Sequence, residues 1–517
     1  MKNLKIANDV SLLVSKKTQA TLLSLLLLLN FVIRIPSIPH EKGYDSFFIH
    51  TLANSITING TCEWWINWLS VFGLYPYSYA SAVPFMLSEI AQMTGLEMEK
   101  AILVYCIIAG LLGMFTSYLL AGQIYNDFKF KYIMSLFFSL APGVMVFTTW
   151  EVSTRGLFIV LFPFFIYLLL RIDKTIKKYI LLTICFVLLF ATHHYAYFLI
   201  PVIVVYFSLN ILKKVNIPHF KKNHLNYIFS FAIIALILVP FFERSLVESG
   251  SRYAWLIDAL ITNIRYTGPA LILAFGGLVY LLQKKKSFNE IIFLSLLILF
   301  LPTIYSLTYG PYFLVLFIVF LASISFGNIL NSLAIHKNKL FALFVISIIV
   351  FSVAFSSFYN HNRTGDSESY WYMPHETYTA GIWGKNYIPD NSYGLDTAFE
   401  TGRLFAISEG HPITPSLGPG NLAYGFIDKN DIQYTKNSPF SKQYYFDGPY
   451  SSKGSTYSGR VEWLRQYGKN IEDLEEYTYF VEDKYYYKPI VNIIHSESNK
   501  IYDATRIALW EIDVERK

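Results

Sequence analysis

Charged residues and cysteines are both scarce in this sequence. Only 15% of its 517 residues are charged, whereas 54% are hydrophobic, a balance too apolar for a soluble protein of this length. The three cysteines are widely separated and provide neither a disulfide framework nor a zinc-binding spacing. The net charge of +6 is modest, and the lysines and arginines cluster in short segments, so nucleic acid is not an expected partner. These shortages indicate a membrane protein.

Long apolar runs follow one another through the first two thirds of the chain. Runs of about 18 or more apolar residues are long enough to cross a hydrocarbon core of about 30 Å as helices. No small-residue cleavage site follows the first run, so we predict that it is retained as an anchor. The eleven predicted spans cover 19–36, 100–124, 132–149, 156–170, two arms of 179–212, 226–242, 267–282, 290–306, 311–329 and 340–358.

Two segments decide how these spans are counted. The run 179–212 has lysines at both ends, so we predict that it crosses twice and turns near His193 and His194. Segment 76–94 is half polar, so we predict that it lies along the outer interface.

Basic residues give the predicted orientation. They concentrate in alternate loops, and lysine and arginine are retained on the cytoplasmic side. The N-terminus is therefore predicted to be cytoplasmic and the C-terminal tail extracellular, in a multi-pass protein of the plasma membrane. Glycosylation triplets at Asn59 and Asn362 both fall on the outer side. The cysteine-free tail favours a prokaryotic cell surface.

The composition changes at about residue 359. We predict a transmembrane domain over 1–358 and an extracytoplasmic α/β domain over 359–517. In the tail, HETYTAGIWGKNYIPDNSYGLDTAF and GRVEWLRQYGKNIEDLEEYTYFVED each predict a helix followed by a strand, and TRIALWEI predicts a closing strand. The predicted fold class is an α-helical polytopic membrane protein with about eleven transmembrane helices and a C-terminal α/β domain.

Acids, histidines and arginines gather in the predicted outer loops, while the spans are almost free of charge. Glu41 and Asp45 are four residues apart, so a helical turn places both on one face. Charges at span ends are often solvated anchors, and we expect this of Arg34, Lys42 and Glu99. The candidate site residues are Glu41, Asp45, Glu151, Arg155, His193, His194, Arg244, Arg252 and Arg265.

These residue types suit group transfer from a lipid phosphate. A carboxylate such as Asp45 can accept the proton of an acceptor hydroxyl, and the loop arginines Arg244, Arg252 and Arg265 can bind a phosphate. Alternatively, Asp45 and Glu151 can hold a divalent cation, Mg²⁺ or Mn²⁺, through their oxygens. The histidine pair interrupts an apolar run, which favours a functional role; the alternative is a pair of hydrogen-bonded turn residues.

On these features the sequence resembles the GT-C multi-spanning glycosyltransferases, particularly archaeal and bacterial members that use a polyprenyl- or dolichyl-phosphate sugar. Asp45 in GYDSFF matches the family's aspartate on the first outer loop, and Glu151 matches its second acidic position. Segment 76–94 matches its interfacial helices. The stretches STRGLFIVLFPFFIYLLLR and THHYAYFLIP also resemble archaeal members.

The resemblance implies an inverting glycosyltransferase with a lipid-linked donor and a glycan, lipid or protein acceptor on the outer face. It makes Asp45 the base, with Glu151 aiding it or holding a metal. Arg155, the histidine pair and the loop arginines would bind phosphate, and Glu41 would contact substrate. The tail lacks the WWDYG motif of the oligosaccharyltransferase catalytic subunit, which argues against transfer of a whole oligosaccharide to asparagine.

Two other functions compete with glycosyl transfer. A transporter or flippase of lipid-linked intermediates predicts ionisable groups within the spans and paired sequence halves, and the sequence shows neither. A non-catalytic surface-assembly protein would use the aromatic residues of the tail to stack on sugar rings, although aromatic strands also serve packing.

Overall fold

The computed structural model of the protein describes residues 15–62, 72, 82–171, 173, 175–214, 222–243, 252–305, 310–335, 339–362, 372–389, 392, 394–396, 401–411, 432–434, 450–452, 478–485 and 490–512. Within these ranges, the side chains of several residues at the ends of helices and strands are not described.

Helices dominate up to residue 362. They are α1 Lys16–Val32, α2 Tyr44–Asn59, α3 Ala82–Thr94, α4 Met98–Ile124, α5 Phe128–Ser139, α6 Pro142–Met145, α7 Thr154–Leu170, α8 Ile176–Thr192, α9 Leu199–Lys214, α10 Lys222–Phe242, α11 Arg252–Thr267, α12 Leu271–Gln283, α13 Phe288–Phe300, α14 Gly310–Ile335 and α15 Lys339–Asn362. Side chains that accept a backbone N–H begin several of them, which satisfies part of the free first turn. These caps are Ser15, Asp127, Ser153, Thr175 and Ser287.

The helices follow the predicted spans closely. Within the described ranges, five helices are long and apolar enough to cross a membrane: Met98–Ile124, His194–Lys214, Ala254–Gln283, Gly310–Leu333 and Lys339–Phe358. Shorter apolar helices occupy Thr154–Leu170, His224–Val239 and Phe288–Ile304. The predicted break near His193 and His194 is confirmed, because α8 ends at Thr192 and α9 begins at Leu199, whereas the double crossing stays a prediction. The chain is therefore a polytopic membrane protein.

One predicted span is wrong in extent. The run 132–149 is not a single helix, because α5 ends at Ser139 and Pro142 starts the short α6. Proline lacks the N–H that would continue the helix and restricts the residue before it. The chain then turns through 146–153, which places an irregular loop directly before α7.

Small residues bring the helices of the membrane bundle close together. A Cβ on Gly113 of α4 would lie 3.0 Å from Val160 of α7, and one on Gly277 of α12 would lie 1.9 Å from the carbonyl oxygen of Leu321 in α14. Such contacts are typical of membrane helices, where packing takes the place of the hydrophobic effect.

The tail forms a small α/β unit. Its described elements are α16 His375–Tyr387, β1 Gly394–Asp396, α17 Thr401–Ile407, β2 Ile432–Tyr434, β3 Tyr450–Ser452, β4 Tyr479–Asp483, α18 Ile490–Glu497, β5 Ser498–Asp503 and β6 Ile507–Ile512. A four-stranded sheet has the order β1-β4-β6-β5, with β1 parallel to β4 and the other pairs antiparallel. A two-stranded antiparallel ladder joins β2 to β3.

The α/β tail is confirmed where it is described. The predicted helix and strand of the first unit are α16 and β1, and the predicted strands before residue 484 and after residue 506 are β4 and β6. The predicted helix over 459–477 lies outside the described residues. The boundary at 358/359 stays a prediction, and α15 continues to Asn362.

The tail packs on the first loop of the membrane domain. Phe47 of α2 shares an apolar cluster with Met373, Ala406 and Ile407, and the Asn54 side chain donates to the carbonyl of Ala406 at 2.8 Å. The tail domain and the start of α2 therefore lie at the same end of the molecule.

Candidate active site

An ion pair joins the first loop to the start of α7. Arg155 Nη1 lies 3.2 Å from Asp45 Oδ2, and the two side chains are 25% and 30% exposed. The Ser153 hydroxyl, which caps α7, also donates to Asp45 Oδ2 at 3.3 Å. Asp45 occupies the first turn of α2, where the helix dipole favours an acid. The first turns of α2 and α7 therefore position the Asp45–Arg155 pair, which remains accessible to solvent.

Backbone contacts fix these two segments against each other. The Lys42 N–H donates to the carbonyl of Trp150 at 3.1 Å. The Val152 N–H donates to the Ser46 hydroxyl, also at 3.1 Å. Trp150 has a φ of 59°, a left-handed conformation that costs energy for a bulky residue and that clusters at functional sites.

Glu151 lies between these contacts. It is 6% exposed, and its Oε2 has no hydrogen-bond partner within the described ranges. Burial raises the pKa of Glu151 to about 8; the charges of Lys42 and Arg155 oppose that rise, and Asp45 adds to it. Glu151 therefore retains a proton near neutral pH and can donate a hydrogen bond.

Gly43 makes room for this carboxyl group. A Cβ at residue 43 would lie 2.5 Å from Glu151 Cγ, and its φ of +93° favours glycine. Any larger residue would displace Glu151 or distort the start of α2.

The Glu41 side chain lies in the protein interior. It is fully buried, with its carboxylate bonded to the His50 ring and to the Ser46 hydroxyl, the latter at 3.0 Å. Burial alone lowers the pKa of His50, but the charge and hydrogen bond of Glu41 outweigh it and raise the pKa. The predicted substrate ligand therefore has protein partners, and it braces α2 behind Asp45.

The histidine pair lies at the turn between α8 and α9. The rings of His193 and His194 are 3.9 Å apart, and His193 Nδ1 accepts the Tyr195 N–H at 3.1 Å. The charge of Arg155 acts on both imidazoles. The positive charge of Arg155 therefore disfavours protonation of both imidazoles.

An apolar pocket adjoins this polar cluster. Its cavity volume is about 10 Å³, room for about one water molecule, and Arg155 acts electrostatically on Tyr312 in its wall. The lining residues are Phe138, Phe158, Ile159, Phe162, Tyr195, Tyr312, Phe313 and Leu316.

Solved structures share this architecture, although no protein-family profile and no curated protein matches the sequence. The Archaeoglobus fulgidus oligosaccharyltransferase with a tethered acceptor peptide has a TM-score of 0.58 at 13% identity, over 91% of this chain and 69% of that one. ArnT from Cupriavidus metallidurans bound to undecaprenyl phosphate has a TM-score of 0.53 at 11% identity, over 96% of this chain and 98% of that one. The chain has the GT-C fold. A mycobacterial arabinofuranosyltransferase, AftD, matches over 97% of this chain and 42% of its own, with a TM-score of 0.52 and 12% identity.

At these identities the likeness establishes the GT-C fold and no more. The site residues of this GT-C protein therefore depend on its own geometry. Asp45 and Arg155 form an ion pair, Glu151 lies against Gly43, and His193 and His194 lie side by side at the α8–α9 turn. Their roles stay predictions.

The loop arginines are not placed in the site. Arg244 and the side chain of Arg252 lie outside the described residues. Arg265 is exposed near the end of α11, and no contact with the Asp45 cluster occurs within the described ranges.

Three residues interpreted as solvated anchors are buried, so that prediction is wrong. Arg34 and Lys42 are 0% exposed and Glu99 is 3% exposed. Arg34 donates to Asn30, to the carbonyl of Ser139 at the end of α5 and to Thr148. These partners replace the water that an anchor would use, because the loop before α7 folds inward over the end of α1.

The same end of the molecule holds further residues that the sequence did not single out. Glu99 Oε1 lies 3.0 Å from His40 Nδ1 and accepts the Glu41 N–H at 3.1 Å. His40 Nε2 in turn lies 3.0 Å from His375 Nδ1, which ties α16 to the first loop. Ser153, followed by the helical run of α7, carries an N-cap signal that could have been noticed. The other contacts join residues far apart in sequence and have no local signature.

The described residues do not match a metal site well. No group of three or more His, Cys, Asp or Glu suited to a metal occurs within the described ranges. Asp45 and Glu151 are also close to the cations Arg155 and Lys42. The divalent ion predicted from the sequence stays untested.

Proposed function

We propose that the protein is a membrane glycosyltransferase. It transfers a sugar, with inversion, from a polyprenyl- or dolichyl-phosphate donor to a glycan, lipid or protein acceptor on the outer face. One observation carries the proposal: the solvent-open Asp45–Arg155 pair, 3.2 Å apart, lies where the first loop and the start of α7 meet, with Glu151 beside it. The shared GT-C fold supports the general class.

Asp45 acts as the general base. Its contacts with Arg155 and Ser153 both use Oδ2, so Oδ1 serves the proton of the acceptor hydroxyl. The acceptor oxygen bonds to the anomeric carbon as the bond to the phosphate oxygen breaks, and the electron pair leaves with the phosphate. A carboxylate in this position contributes about 10²–10⁴-fold to such a step.

Arg155 and Glu151 act on the leaving group. The guanidinium has five donors, so it can hold Asp45 and still donate to a phosphate. Protonated Glu151 donates one further hydrogen bond, and the imidazoles of His193 and His194 complete the phosphate side.

The packing of the tail domain also suggests how the protein is oriented in the membrane. Because the tail packs on α2, the site and the tail domain share one face, and we assign that face to the outside of the plasma membrane. Alkaline phosphatase fused to the C-terminus should then be active in a bacterial host, and a fusion after Arg171 should be inactive. The reverse result would place the site in the cytoplasm.

Replacing one carboxylate tests the proposed function. Asp45→Asn should abolish transfer to cell-surface glycans, measured by mass spectrometry in a strain lacking its own copy. Glu89→Gln, which alters an exposed acid on α3, is the matched control and should behave as wild type. Unchanged glycans at normal amounts of Asp45→Asn would remove this residue from the mechanism. Mass spectrometry of the detergent-purified protein should also detect a polyprenyl phosphate.

A further inference from the structure

A chain of three side chains links the membrane domain to the tail through His40. His40 Nδ1 lies 3.0 Å from Glu99 Oε1 at the start of α4, and His40 Nε2 lies 3.0 Å from His375 Nδ1 at the start of α16. Glu99 and His40 are buried, whereas His375 is exposed. The chain therefore runs from a buried carboxylate to a titratable group at the surface, and it includes no residue of the candidate active site.

The surrounding contacts hold the His40 ring in one orientation. The ring stacks on Tyr378, with the two ring centroids 4.0 Å apart. Glu99 Oε1 also accepts the Glu41 N–H at 3.1 Å, and the Met373 N–H donates to the carbonyl of Glu41 at 3.2 Å. The first loop and the start of α16 are therefore joined both through their backbones and through the two imidazoles.

The number of protons on the two imidazoles decides whether their contact is attractive. A neutral imidazole has one N–H donor and one acceptor nitrogen, whereas an imidazolium has two donors and no acceptor. The bond between His40 and His375 needs one donor and one acceptor, so the pair accommodates at most one extra proton. When both rings are charged, two N–H groups point at each other across a distance of 3.0 Å and the two positive charges repel each other.

Glu99 compensates one positive charge in this chain. Lys100 Nζ lies 3.8 Å from the second oxygen of Glu99, and the Glu41 carboxylate is bonded to His50 and Ser46. The other charged or titratable groups on the packed elements are Lys42 on the first loop, Glu97 before α4, Glu376 and Tyr378 on α16, Arg403 on α17, and Glu409, which is paired with Lys385. Within the described ranges, Glu99 is the carboxylate bonded to these imidazoles, so a second proton on the pair has no partner of opposite charge.

We propose that the Glu99–His40–His375 chain is a pH-sensitive latch between the tail and the first loop. Near neutral pH the two imidazoles share a hydrogen bond and hold the start of α16 on the loop. Histidine changes its charge between about pH 5 and 8, so in mildly acidic solution both rings become protonated and the start of α16 separates from His40. Opening is favoured as pH falls, because the open form binds one more proton than the closed form. The latch does not depend on the proposed function.

Hydrogen–deuterium exchange of the full-length protein in detergent measures the latch directly. Peptides covering Met373 to Tyr378 contain the Met373 amide, which is hydrogen-bonded to Glu41 in the closed form. Exchange is compared at about pH 7.5 and about pH 5, with labelling times adjusted for the intrinsic change of exchange rate with pH. Protection of these amides should fall about tenfold or more, since one linked proton changes an equilibrium up to tenfold per pH unit. Protection of α14 should stay unchanged.

Variants of two tail histidines distinguish the latch from general unfolding in acid. In His375→Asn, the asparagine amide keeps a donor near the position of Nδ1 but takes up no proton, so protection should be the same at both pH values. In His375→Ala the donor is lost, and protection of the same peptides should be low at both pH values. The matched control is His411→Asn, which replaces a histidine bonded to the carbonyl of Ile388 and should keep the pH dependence of wild type.

Two results would overturn the inference. One is wild-type protection of the α16 peptides that is equal at both pH values. The other is a loss of protection in acid that His375→Asn does not prevent. If His375→Asn does not fold, the wild-type comparison of α16 with α14 still decides, because general unfolding in acid would expose both helices. The measurement uses no substrate, so failure of the proposed function would leave its result unchanged.

Discussion

Glu151 and Glu290 are both buried carboxyl groups with opposite surroundings. Glu290, at 1% exposed, accepts from the Ser287 N–H at 2.6 Å and from Lys284 at 2.7 Å, and it also bonds the Tyr125 hydroxyl. Glu151 has no partner for Oε2 within the described ranges. The two also lie at opposite ends of α4, since Glu99 at its start reaches the first loop and Tyr125 just after its end reaches Glu290.

A complete set of partners makes a buried acid structural, whereas an incomplete set leaves capacity for a ligand. Buried polar groups are nearly always satisfied, and perturbed acids cluster at functional sites. We therefore expect the acid at the Glu290 end to stabilise the fold and the acid at the Glu151 end to act on substrate.

The largest expected difference comes from removing each acid in turn. Glu151→Gln should reduce transfer by about 100-fold or more without lowering the melting temperature. Glu290→Gln should cost about 1–3 kcal/mol of stability, because it leaves buried donors unsatisfied, while transfer per folded molecule stays normal. Glycan transfer and thermal unfolding in detergent measure both. Equal effects of the two variants on transfer and on stability would contradict the distinction between a functional Glu151 and a structural Glu290.

Gly43 and Gly60, which have left-handed φ values at the two ends of α2, provide a second comparison. Gly43→Ala should destabilise the protein by about 1–3 kcal/mol from overpacking against Glu151, beyond the strain of its φ of +93°. Gly60→Ala shares only the strain, since nothing lies within 4 Å of its added Cβ, and should cost about 1–2 kcal/mol. Thermal unfolding of both variants measures the difference. Equal losses would show that the Glu151 contact is not tight.

Arginines at the two ends of α7 provide the next contrast. Arg155→Lys keeps the charge but loses the planar fork that contacts Asp45 and a phosphate, so transfer should fall about tenfold. Arg171→Lys alters a partly exposed arginine paired with Asp173 and should have little effect. Kinetic assays with matched protein amounts measure both. A wild-type rate for Arg155→Lys would mean that charge alone suffices.

The smallest expected effect is the contribution of Glu151 to the change of protein stability with pH. The folded pKa of Glu151 is raised from 4.5 to about 8, so between these values the folded state binds more protons than the unfolded state, and stability falls as pH rises. The slope is at most about 1.4 kcal/mol per pH unit, and Glu151→Gln should remove it. His50, whose pKa is also raised, adds a slope of the same sign to wild type and to Glu151→Gln. The melting temperature of each protein is therefore measured against pH, and the difference between the two curves reports on Glu151. Parallel curves would contradict the raised pKa.

Local sequence patterns predicted most of the fold. Ten of the eleven apolar runs predicted as spans correspond to described helices, and the helix–strand units of the tail appear where they are described. The run 132–149 failed because apolar character continues through Leu140 and Ala141 although Pro142 interrupts the helix. Hydropathy measures burial, and it does not separate a helix from a folded loop that is equally buried.

The sequence indicated which residues are candidates for the site, but it did not indicate how they are arranged. Residue type and position in the predicted outer loops indicated Asp45, Glu151, Arg155 and the histidine pair as candidates. The same reasoning took Lys42 for a surface anchor, because a lysine beside an apolar run has the same local sequence whether its side chain is solvated or buried.

The sequence by itself determined that this chain crosses a membrane as helices and has a polar α/β tail. A helix satisfies its own backbone hydrogen bonds, so the information needed for it is local. Only the tertiary structure decided that Asp45 pairs with Arg155, that Glu151 is buried against Gly43 and that Lys42 is buried. Those outcomes depend on the distance between residues more than a hundred positions apart, and the strength of electrostatic interactions depends on that distance and on how much water remains between them.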